Sequence, residues 1–154
     1  MAALYHTILT IHILSFILFI GTTVIDFLLY RQFWKFYGND IAKAKTIWEV
    51  KNKIGPIIRF GGFLAFLAGI TLMATAHYGG QTWLRIKVPL VILALINAVI
   101  LTRKQRKAIG ANAEINIAFN AQKPKELKNR FTFFYFIQLC IFFFIILLSA
   151  FRFN

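Results

Sequence analysis

The chain has 154 residues, 59% of them hydrophobic, 17% aromatic and 15% charged, with a formal net charge of +13. That length suits one domain, but the apolar residues gather in unbroken runs of membrane-spanning length, which a water-soluble core has no use for. The basic residues lie between those runs, where they set topology and meet the lipid bilayer's anionic headgroups, so nucleic acid is not an expected partner.

The first run, Leu4–Tyr30, holds no charge before Asp26 but carries His6 and His12. It has no basic segment ahead of it and far exceeds the h-region of a signal peptide, so it is expected to stay as an anchor. The second span is read at about 57–76, entered through Gly55-Pro56, where proline suits a first helical turn. The third is read at about 84–102, after the turn signal Gly79-Gly80, and the fourth at 131–150. Cys140 lies within the fourth run and has no second cysteine to pair with. No repeat or low-complexity linker divides the chain. The expected fold is all-α, a single antiparallel four-helix transmembrane bundle.

Lysine and arginine counts orient it. The 31–59 connection carries seven, among them Lys51 and Arg59, and the 103–130 connection eight; the other side has Arg85, Lys87 and Arg152. The positive excess belongs in the cytoplasm, which places both termini and the 77–84 hairpin outside. Within the first connection, Asn39 or Asp40 can cap a helix running to about Lys53, with Ile41, Ala44, Ile47 and Trp48 at helical spacing. Such a helix either lies on the headgroups or continues the bundle. The 110–125 stretch reads as loop with at most a helical turn.

Gly61, Ala65 and Gly69 form a small-residue ladder of the kind that lets helices approach closely in lipid, within a subunit or in a homodimer. It would also make room for a planar cofactor against the backbone. At the outer side, topology gathers His6, His12, His77, Arg85 and Lys87. His6 and His12 lie about 120° apart around a helix and do not share a ligand easily. His12 is the deeper one, the candidate metal ligand, and is expected to point into the bundle; His6 reads as interfacial. A neutral imidazole binds haem iron or a transition metal, and a nearby cation pairs with an anionic substituent such as a propionate. At the inner side, Asp26 and Arg59 have matching depth and opposite charge and are expected to pair, aligning helices one and two, with Asn97 and Gln138 nearby. No Gly-rich phosphate loop, Ser/His/Asp set or CxxC occurs.

Three pieces carry a family resemblance: Ile11-His12-Ile13-Leu14 followed by Gly21, Ile54-Gly55-Pro56, and Trp83-Leu84-Arg85-Ile86-Lys87. Together they resemble small bacterial four-helix membrane proteins. These comprise HemJ-type protoporphyrinogen oxidases, the membrane domain of CopD-type copper-resistance proteins, and a family of similar length without an assigned activity. The resemblance implies a bacterial inner-membrane location, haem b as cofactor, and functional roles for His12 and Lys87; the topology sets His77 and Arg85 beside them. Asp26 to Arg31 stands where HemJ-type proteins have a Pro-Arg-rich stretch, so the family without assigned activity fits better. The leading expectation is a haem-binding or redox-linked membrane protein. The alternatives are a structural or assembly protein without chemistry and a small metal or solute transporter. Copper is suggested only by the CopD-type likeness, and soft ligands are scarce, since Met1, Met73 and Cys140 form no cluster.

The topology is tested by cysteine labelling in intact cells. Positions in 103–130 should be protected from membrane-impermeant reagents and positions near Gly79 accessible; the reverse pattern inverts the orientation.

Overall fold

The computed structural model describes residues 2–75, 81–105, 107 and 123–151. Four helices make up the described chain: α1 Ala2–Phe36, α2 Ile41–Thr75, α3 Thr82–Gln105 and α4 Lys123–Phe151. Each is long and apolar enough to cross a membrane. The protein is an all-α, multi-pass membrane bundle, in which α1 packs chiefly on α2 and α3 on α4.

The helices outrun the apolar spans. At 1.5 Å per residue, α1 and α2, each of 35 residues, are about 52 Å long against roughly 30 Å of hydrocarbon. A tight turn joins them. Tyr37 N–H donates to the Phe33 carbonyl at 2.9 Å and Asp40 N–H to the Phe36 carbonyl at 2.8 Å. Asp40 then caps α2, its Oδ1 accepting from Lys43 N–H at 3.0 Å. That N–H, with the Lys43 side chain beside it, holds the Asp40 carboxyl below its ordinary range.

The segment from Ile41 to Lys53 is therefore the start of α2 and continues the bundle. Ala44 and Trp48 are buried with Tyr30, Phe33, Leu101, Phe131 and Tyr135 in one core cluster. Pro56 lies inside α2 and not at its first turn, contrary to the sequence reading. A mid-helix proline removes the donor that would serve the carbonyl four residues earlier, here that of Asn52. Asn52 is only half-buried, so the loss falls where the backbone is accessible. At the far connection, α4 already begins at Lys123; the rest of the stretch read as loop lies outside the described residues.

The small-residue ladder is used inside the subunit. A Cβ added at Gly61 would sit 3.2 Å from the backbone nitrogen of Phe19, and one at Gly62 would meet Leu95 at 3.0 Å and the Phe19 ring at 3.1 Å. Ala65 is buried. A homodimer through Gly61, Ala65 and Gly69 would need a face that α1 already covers. Ser15 and Thr23, buried on α1, return their hydroxyls to the carbonyls of Ile11 and Phe19, both at 2.7 Å, so close packing leaves neither unsatisfied.

Replacing Gly61 by valine should force α1 and α2 apart and destabilise the bundle by about 1–3 kcal/mol, the usual cost of overpacking. Gly21→Ala, where nothing lies within 4 Å of the new Cβ, should leave stability unchanged or slightly raised. Thermal unfolding in detergent, followed by circular dichroism, compares the two.

Candidate functional site

Polar side chains collect at two levels of the bundle. The first lies toward the end that carries the 37–40 turn and most basic residues, called here the basic end. Asp26 of α1, Lys51 of α2, Gln105 of α3 and Tyr135 of α4 meet there, all less than 10% exposed. They close a ring. Lys51 Nζ donates to Asp26 Oδ1 at 3.0 Å and to Gln105 Oε1 at 2.6 Å. Gln105 Nε2 donates to the Tyr135 hydroxyl at 3.2 Å, and that hydroxyl donates to Asp26 Oδ2. Both carboxylate oxygens, both ends of the amide and the phenol are engaged, so the buried charges are compensated and hydrogen-bonded together. A recess of about 10 Å³, room for one water, opens beside the ring and is lined by Asp26, Lys51, Asn52, Gly55, Thr102 and Gln105, among others.

The expected Asp26–Arg59 pair is not formed: Lys51 takes that place, and Arg59 is exposed. The reason is register. In a helical hairpin, residues equidistant from the turn come level, and Asp26 and Lys51 stand twelve and eleven residues from the 38–40 turn. Arg59 comes level with the region of Leu18 and Phe19, where Gly61 also meets α1. Reading 31–59 as a connection hid this. The expected neighbours are present: Asn97 Nδ2 donates to Gln138 Oε1 at 2.7 Å and to the Phe134 carbonyl at 3.3 Å. Gln138 is fully buried, and its Nε2 has no partner among the described residues.

The second level lies toward the opposite end. His12 points into the bundle. Its Nδ1 is 2.8 Å from the Ala65 carbonyl, and because a carbonyl only accepts, Nδ1 carries the proton. In a neutral ring the lone pair is then on Nε2. The ring lies parallel to that of Phe16, at 10° with centroids 6.5 Å apart. Its Cε1 is 3.1 Å from where a Cβ of Gly69 would be. The planar group that the ladder accommodates is thus the imidazole itself.

Lys87 is half-buried on α3, its ammonium 5.8 Å from the centre of the Trp83 ring. The Trp83 indole donates to Gln81 Oε1. Arg85 and His6 are exposed, and His77 lies outside the described residues. Of the expected site residues, then, His12 faces the bundle interior and Lys87 is half-buried, whereas Arg85 is not drawn in. No three of His, Cys, Asp and Glu gather as metal ligands among the described residues.

An apolar layer separates the two levels. Phe19, Ile58, Ala94, Ile141, Phe142 and Ile145 are buried together, with Phe16, Leu90 and Val91 packed against them. Phe142 meets both Phe16 and Phe19 edge to face, with centroids 6.3 and 5.0 Å apart.

Asp26→Asn should strand the Lys51 ammonium in the core and cost about 3–5 kcal/mol, while Arg59→Gln costs little. The double change Asp26→Leu with Lys51→Met should recover most of that loss, because the penalty comes from an uncompensated buried charge. Unfolding of the variants in mild detergent measures all three. No protein-family model, curated protein or solved structure matches the chain.

Proposed function

We propose that this chain is a redox-linked protein of the bacterial inner membrane, with both termini outside, that holds haem b in the outer half of its bundle. His12 would hold the haem iron, and Lys87 would pair with an anionic substituent of the ring. The carrying observation is the Nδ1–H bond to the Ala65 carbonyl. Ligating histidines characteristically donate their other ring N–H to a carbonyl or carboxylate, which fixes the tautomer and aims the lone pair. The donor set also bears on the choice of occupant: a bare metal ion needs several ligands, whereas haem iron takes a single proximal histidine. Haem b held by these residues would supply one-electron transfer.

The chain's own part is to orient the imidazole through Ala65, Gly69 and Phe16, to set a cation beside it, and to exclude water from below. The Phe19/Phe142 layer does the last of these, and by interrupting the polar groups it weighs against a continuous transport path. A second reading, a structural or assembly protein, draws on the ring at the basic end, where one residue from each helix is spent on holding the bundle together.

Protein purified in mild detergent should show a Soret band, on its own or after haem supplementation. His12→Ala should lose it while keeping its helical content. A wild-type protein with no Soret absorbance under either condition defeats the haem reading and leaves the structural one.

A further inference from the structure

The recess beside the Asp26–Lys51 pair opens at the seam between α2 and α3, and it lies at a particular depth. About 20 helical residues cross the hydrocarbon. Counted from Thr75 back along α2 they end near Pro56, and counted from Thr82 along α3 they end near Thr102. Asn52, Gly55 and Thr102 line the recess, so its mouth stands at the boundary between acyl chains and headgroups.

The groups around that mouth suit an anion. Lys45, Asn52 and Arg59 recur every seven residues, two turns of helix, and so form one stripe down α2. Lys45 and Arg59 are exposed and Asn52 is half-buried. The Asn52 side-chain amide has no hydrogen-bond partner among the described residues, and its backbone carbonyl lacks the donor that Pro56 cannot supply. One amide donor, one open carbonyl and a guanidinium therefore share one stripe of α2 that crosses phosphate depth. Apart from Lys51, every lysine and arginine at the basic end whose side chain is described is exposed, against five acidic residues in the whole chain.

We infer that the α2–α3 seam is a specific seat for an anionic phospholipid of the leaflet at the basic end. Its phosphate lies between Arg59 and the Asn52 amide, a headgroup hydroxyl donates to the Asn52 carbonyl, and an acyl chain lies along α2 beside the exposed Phe63. Basic pockets between membrane helices recognise anionic headgroups in this way. Arg59, displaced from the ion pair by Lys51, thereby has a role of its own.

The test uses the full-length protein in nanodiscs of equal parts phosphatidylglycerol and phosphatidylcholine, with retained lipid identified by native mass spectrometry. Wild type should retain phosphatidylglycerol in preference. Arg59→Gln should lower that preference about fivefold, what one basic side chain contributes at an anionic surface. Asn52→Leu should lower it as well, with helical content unchanged in both. Arg130→Gln, an exposed arginine at the same end on α4, should leave it nearly intact. Equal retention of the two lipids by wild type overturns the seat. So does a loss with Arg130→Gln as large as with Arg59→Gln, which marks diffuse attraction by the basic end.

Discussion

A lysine ammonium buried between four helices imposes conditions on everything near it. Lys51 is tolerated because Asp26 neutralises it and because Gln105 and Tyr135 complete the hydrogen bonds of both. Those partners come from the three other helices, so satisfying one charge fixes the mutual register of all four. Apolar packing alone does not discriminate so sharply in a membrane, where lipid tails solvate leucine as well as a neighbouring helix does. The ring also links the two helix pairs: Lys51 with Gln105, and Tyr135 with Asp26, are bonds between them. Tyr30 adds another, its hydroxyl donating to the Lys128 carbonyl at 3.0 Å.

The register set by the short 37–40 turn has a consequence at the other end of the molecule. The same pairing that places Lys51 beside Asp26 places Ala65 and Gly69 beside His12. The small residues of α2 then serve two purposes, backbone approach to α1 at Gly61 and space for an oriented imidazole at Gly69. Between the two polar levels the bundle is filled by phenylalanine and aliphatic side chains. That division keeps a charged, structurally committed layer apart from a layer with a lone pair to offer.

Four apolar runs, their order, and the all-α class were legible in the sequence because length and hydrophobicity are local properties of a stretch of chain. So was the inward aim of His12, since an imidazole facing acyl chains would leave its N–H unsatisfied. The buried lysine was not read, although a signal existed. Ala44, Trp48, Lys51, Gly55 and Ile58 are spaced by four, three, four and three, and all are buried, so Lys51 stands on the apolar seam of α2. Treating Pro56 as the start of the helix cut that pattern in two. Gln105 and Tyr135, at the far ends of their spans, carried no mark to separate them from ordinary polar and aromatic boundary residues.

That this protein is built of membrane-spanning helices, with its positive charge collected between alternate spans, follows from the residues alone, because a bilayer selects on length, polarity and charge. Which charge meets Asp26, the packing of the small-residue face on α1, and the bond from His12 to the Ala65 carbonyl arise from helix packing. Each of these depends on how far two helices run before and after a turn. A shift of one helical turn would exchange every partner without altering the hydrophobic pattern that the sequence displays.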